Sequence, residues 1–298
     1  MLEREEYVEQ SYFFRSMIER MALSESAQEL LKSLRDEVLS TTKLPMALEF
    51  MAAELRLTGT LHTAMGKLPH YFTAFQTYLM AEAERATGRF DFRTALEILR
   101  READYRAAGT TPQGMFLYQF ECLCRNRLGY DRGLEAIASD PIFDENWRSW
   151  IETVRRQAGF VDFADLIYVR SELYARQQAQ RNAADTADID DTDTDDSEAA
   201  DSAASPSKAV LFGEKEGRIA LANRRKDPLY LFAALQRQLG YPTVPRPMPP
   251  SESPNAIPAL QRQLQRLETR MKLLEEEHRG GIDITKFYGD SQGKAAPG

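Results

Sequence analysis

Along the first 160 positions, apolar residues recur at intervals of three and four, the period of amphipathic helices. Val8, Phe14, Met17, Ile18 and Met21 form one stripe. Ala27, Leu30, Leu31, Leu34 and Val38 form the next, opened by Ser26 with Glu29 at capping-box spacing. Pro45 suits the first turn of a helix over 46–57, which should stop before Gly59. A short helical turn ends near Gly66, and Pro69 opens a longer helix to 86 before Gly88. The spacing then predicts helices over 92–107, 112–128, 131–139 and 145–158, punctuated by Gly109, Gly129, Asp140-Pro141 and Gly159, with Asp144 as the last cap. Connections this short favour antiparallel neighbours.

Beyond Gly159 the period changes. Leu166, Ile167, Tyr168 and Val169 are β-branched or aromatic enough to suit a strand, although a helix through Tyr174 also fits. Val210, Leu211 and Phe212 face Ile219, Ala220 and Leu221 across a five-residue segment with Gly213 and Gly217, the pattern of a hairpin. Together these would make a small sheet from which the intervening acidic segment grows as a loop. Asp227 followed by Pro228 marks a helix start, with Leu229, Phe232, Leu235 and Leu239 as its apolar face and Gly240 as its stop. Seven prolines among residues 242–258 predict an extended spacer. In the last segment Leu260, Leu264, Leu267, Met271 and Leu274 are spaced four and three apart, a heptad seam that needs a partner helix or the body of its own protein.

The expected fold class is therefore mainly α, an antiparallel helical-hairpin array with a small β element and a C-terminal heptad helix. The organisation reads as a hairpin domain over 1–160, a small α+β element from 161–181 and 208–241, and a disordered acidic insert over 182–207. A Pro-rich linker over 242–258, the heptad helix over 259–279 and a flexible tail over 280–298 complete it.

Within this array, Gly88 precedes Phe92 and Ala95, Gly129 precedes Tyr130 and Gly133, and the second unit closes on Asp140-Pro141. Over about residues 70–141 the chain resembles tetratricopeptide-type hairpins, in which a turn glycine precedes an aromatic and then a small residue where two helices cross. Phe92 and Tyr130 lie 38 residues apart, against a repeat of about 34 in that family. The resemblance implies a body that binds a protein partner, with Ala95 and Gly133 at tight crossings.

Charge refines this picture. The formal net charge is −8, but nine acidic residues and no Lys or Arg fall within 182–207, so the remainder is nearly neutral and carries no bulk affinity for nucleic acid. That insert has almost no apolar residues with which to offset ordering entropy. Cys122 and Cys124, two apart, suit helix packing rather than a disulfide, and a reducing, cytoplasmic setting is expected. No run approaches the roughly 20 apolar residues of a membrane span, and the acidic start lacks a secretory signal.

Candidate chemistry is sparse. No phosphate loop, dinucleotide fingerprint, nucleophile elbow or zinc-helix motif occurs, and no cofactor is implied. His62 and His70 straddle a break at Gly66 and Pro69 and would meet only through a tertiary turn. Asp191, Asp193 and Asp195 imitate the start of a calcium loop, but Asp196 stands where the loop requires glycine. Tyr71, Phe72, Phe75, Tyr78, Trp147 and Trp150 read as core. Arg224, Arg225 and Lys226, directly before the Asp227 cap, are a possible anion contact.

The reading that follows is a non-enzymatic interaction or scaffold protein. Its partner would be another protein, or a second copy held through Leu260, Leu264, Leu267, Met271 and Leu274. The alternatives are an enzyme or metal protein whose site is assembled only in three dimensions, and a nucleic-acid- or ribosome-associated factor using Arg224 to Lys226.

Overall fold

The computed structural model describes residues 2–22, 26–85, 90–187 and 209–246. These form thirteen helices, all within one unit spanning residues 1–247. In chain order they are α1 (Arg4–Met21), α2 (Ala27–Glu37), α3 (Leu44–Thr58), α4 (Leu61–Gly66), α5 (Ala74–Glu84), α6 (Phe92–Ala107) and α7 (Pro112–Arg125). There follow α8 (Tyr130–Ala138), α9 (Glu145–Gln157), α10 (Phe163–Tyr168), α11 (Glu172–Ala187), α12 (Glu214–Ala222) and α13 (Pro228–Leu239).

Local signals set most of the boundaries. The side chains of Ser26, Asp91, Thr111, Asp144 and Asp227 each accept a backbone N–H of the first helical turn, supplying a partner that the helix cannot. Gly59 and Gly240 end their helices in the left-handed conformation, which carries no steric cost at glycine. The helix expected from Pro69 begins instead at Ala74, because Thr73 and Gln76 form a reciprocal capping box. Residues 69–72 become a turn that buries Tyr71 and Phe72.

Consecutive helices pack along the chain from α1 to α6, but the most extensive contact among the described residues joins α1 to α6. Stacked repeats touch only their neighbours; here the first helix returns to the sixth. The inward side of α1 carries Tyr7, Gln10, Phe13, Phe14 and Met17, and Val8, expected to face the core, points outward. Ser11 Oγ reaches Asp104 Oδ1 at 2.5 Å, and Gln10 Nε2 donates to the Tyr71 carbonyl at 3.1 Å.

Among the described residues one hydrophobic core continues from Phe13 to Val244, with no break at position 160. Phe163 of α10 lies 4.6 Å from the Phe120 ring of α7 and 5.8 Å from Phe232 of α13. Trp150 lies 4.8 Å from Phe116 and 5.2 Å from Phe212, in edge-to-face geometry. Gly133 of α8 allows a close approach to α7: a Cβ there would stand 2.6 Å from Leu123 Cδ1. Ala95 is fully buried.

The expected β element is corrected. Leu166 to Tyr168 belong to α10, where the Asp162 carboxylate caps Ala164 N and burial of Ala164 and Ile167 follows helical spacing. Tertiary packing thus overrides β propensity. The loop and second arm of the expected hairpin are α12, with Glu214 and Glu216 in the first turn complementing the helix dipole. Among the described residues there is no strand, only isolated bridges; one, between Ser171 and Phe212, joins the two sides of the acidic segment. Leu211 N donates to Arg170 O at 2.8 Å and Glu172 N to Phe212 O at 3.0 Å.

Two boundaries shift as well. Helix α11 runs to Ala187 and so takes in the start of the acidic insert; the rest of 182–207 lies outside the described residues. Residues 242–246 belong to no helix or strand, and they are packed rather than detached. Tyr241 and Val244 are buried, Arg101 Nη1 donates to Thr243 O at 2.5 Å, and Asn126 Nδ2 to Pro245 O at 3.3 Å. The remaining linker, the heptad helix and the tail lie outside the described residues.

Candidate functional site

The basic triplet forms the turn between α12 and α13. Asn223 Nδ2 donates to Ile219 O and ends α12; Arg225 then adopts a left-handed backbone, with φ of 56°. Its amide donates to Asp162 Oδ2 at 2.5 Å, which fastens this turn to the loop before α10. Arg224 Nε lies 2.5 Å from Asp165 Oδ1, and its guanidinium sits 4.2 Å from the centre of the Tyr168 ring. Its charge is thus matched locally by a carboxylate and an aromatic face. Arg225 and Lys226 present their side chains to solvent. The Asp227 carboxylate occupies the first turn of α13, accepting from Leu229 N at 2.9 Å, so that helix end already holds an anion.

The fastening of the two loops creates a surface that the sequence did not announce. Phe160, in the loop fastened through Asp162, is 90% exposed, with Val161 exposed beside it. At the start of α13 Tyr230 is 66% exposed and Leu229 follows the same pattern. Two exposed aromatic side chains, two aliphatic ones and the cations of Arg225 and Lys226 therefore flank one loop junction. Apolar side chains exposed close to unmatched cations suit an interaction site. One sequence signal points there: Phe160 and Val161 follow Gly159, whose φ is 87°, and so lie outside the helical period that would have buried them.

Other polar groups converge inside the core. Arg106 of α6 donates to Glu102 one turn earlier and to Asp140 after α8, with all three side chains fully buried. Gln119 of α7 donates to Glu102 Oε1 at 3.3 Å and to Asp140 Oδ2 at 3.1 Å. Burial works against the guanidinium's charge, but the two carboxylates outweigh it and hold Arg106 protonated. Burial, with Asp140 nearby, raises the Glu102 carboxyl above its ordinary range against the pull of Arg106. Glu102 Oε2 and Gln119 Oε1 are both acceptors without a partner. A proton on Glu102 Oε2 would turn one of these orphans into a donor, in keeping with the raised carboxyl. This cluster ties three helices together and offers no surface to a substrate.

The remaining candidates separate. His62 Nδ1 lies 2.6 Å from Glu84 Oε2, a carboxylate that also accepts the backbone amides of Leu61 and His62 and so caps α4. His70 is exposed in the following turn. Cys122 and Cys124 are not bridged; burial raises the first thiol well above its usual range and pushes the second up to about 11. Neither is a thiolate near neutrality. Among the described residues no cluster of His, Cys, Asp and Glu could hold a metal ion, and no helix is long and apolar enough to cross a membrane. Leu260, Leu264, Leu267, Met271 and Leu274, and the acidic triplet Asp191, Asp193 and Asp195, lie outside the described residues. No protein-family model, curated protein or solved structure matches the chain.

Proposed function

We propose that this chain is a non-enzymatic protein-interaction module whose helical body receives an apolar, acidic segment of another protein. The observation that carries this reading is the exposure of Phe160 and Tyr230 beside Arg225 and Lys226 at one loop junction. Exposed aromatic rings supply contact area at low entropic cost, and the adjacent cations select a partner of opposite sign. In this reading 70–141 are antiparallel hairpins of tetratricopeptide type, and the seam from Leu260 to Leu274 supplies a second contact to a helix. The arrangement suits a scaffold that holds two proteins at once.

The test replaces Phe160 and Tyr230 by serine in the full chain. Both side chains are exposed, so helicity and melting should be unchanged. Proteins recovered on the wild-type chain from its own cells, at physiological salt, should fall by about tenfold on the double variant, the loss expected when aromatic anchors are removed. Recovery of the same proteins in equal amounts on both chains would remove this surface from the function.

A further inference from the structure

Helix α3 has two apolar sides. Leu44, Ala47, Leu48, Met51 and Ala52 fill the core against the neighbouring helices. On the opposite side Met46 is 76% exposed, Phe50 38% and Leu57 81%, and Ala53 is exposed between them. These four positions are spaced four, three and four apart, which makes a narrow stripe of coiled-coil width rather than scattered surface residues. In heptad terms Met46 and Ala53 are d positions, and Phe50 and Leu57 are a positions. The e positions, Ala47 and Glu54, are buried in the protein's own body. The g positions, Glu49 and Arg56, are exposed, and neither forms an ion pair or hydrogen bond among the described residues.

We propose that this outer face of α3 is a self-association surface, on which a second copy of the chain packs its own α3 antiparallel about a two-fold axis. The proposal stands apart from the loop junction and uses none of its residues. In an antiparallel pair, a positions oppose d positions and the g edges run side by side. Phe50 then faces Ala53 of the second copy, large against small, and Met46 faces Leu57. In the same register Glu49 lies against Arg56 of the second copy, and the two-fold repeats every pair. One short stripe is thus complementary to itself in size and in charge, the requirement of an isologous interface. A parallel pair would set g against e, and the e positions are already buried. Beside the g edge, Lys32 and Arg35 of α2 border a cleft of about 220 Å³ shared with Glu49 and Arg56, which leaves room for the long side chains that must cross there.

Equilibrium sedimentation of the full chain over a wide concentration range tests this. The wild type should pass from one copy to two. Leu57→Glu should abolish the dimer, since it sets a charge opposite Met46, without loss of helicity at so exposed a position. Glu49→Arg and Arg56→Glu should each weaken association by about tenfold through like-charge contacts. The double exchange should restore the dimer, because it regenerates both pairs with reversed sign. A chain that remains a single copy at all concentrations would overturn the proposal. So would a dimer that persists in Leu57→Glu but is lost in Leu267→Glu, which would assign association to the 259–279 seam. Failure of the double exchange to rescue either single exchange would overturn the antiparallel register.

Discussion

Two arginine–carboxylate clusters in this protein use the same chemistry at different depths. Arg106 meets Glu102 and Asp140 where all three side chains are fully buried, and Arg224 meets Asp165 where both are more than a third exposed. In the first, water cannot replace a missing partner, so each member is needed because the other two have been desolvated. In the second, solvent screens the pair, so the contact steers a loop without holding up the fold. The buried cluster therefore governs stability, and the exposed one shapes a surface. An ion pair's contribution is set by its surroundings before its geometry.

Asp140→Ala should have the largest effect. It leaves Arg106 with one carboxylate in a dry site and strips Gln119 of an acceptor, for a loss of about 3–5 kcal/mol. Chemical denaturation of the variant measures it, and a loss below about 1 kcal/mol would make the two clusters equivalent after all.

Gly133→Leu attacks the same region through packing. The new side chain would run into Leu123 and push α8, which leads into Asp140, away from α7. Overpacking of this kind costs about 1–3 kcal/mol. Coupling between Gly133→Leu and Asp140→Ala in a double-mutant cycle would show that the charge cluster depends on the crossing, whereas simple additivity would separate them.

Proton linkage gives the buried cluster a signature of its own. Because the folded state raises the Glu102 carboxyl, it binds a proton more tightly than the unfolded chain. The stability this contributes is fully present below the unfolded carboxyl's ordinary range and is lost as pH rises through the folded value. Glu102→Gln should flatten that part of the pH–stability curve, as measured by denaturation from acid to neutral pH.

At the surface the effects shrink. Asp165→Ala should cost less than about 1 kcal/mol, since Arg224 keeps its place over Tyr168 and the pair is more than a third exposed. Arg225→Gly should be slightly stabilising, by about 0.5 kcal/mol, because relief of the left-handed backbone outweighs the extra freedom of an unfolded glycine. Thermal melts resolve both, and a large loss in either would mean that the loop junction is part of the core.

Helix existence and most helix ends were legible in the sequence because their causes are local. Ser26, Asp144 and Asp227 cap amides two or three residues away, and Gly59 and Gly240 act on their own backbone. The basic triplet could also be read, as a run of three charges, but not its state, because Asp162 and Asp165 lie about sixty residues away along the chain. Only the tertiary structure decided that Leu166 to Tyr168 are helical, that residues 242–246 pack on α6 and α7, and that Phe160 and Tyr230 flank one junction. It likewise decided which apolar residues of α3 face the core and which face solvent, since the sequence shows only that both sets are apolar. The physical reason is the same throughout. Caps and periods are settled within a turn or two of helix, whereas burial, pairing and exposure depend on whichever distant segment arrives alongside.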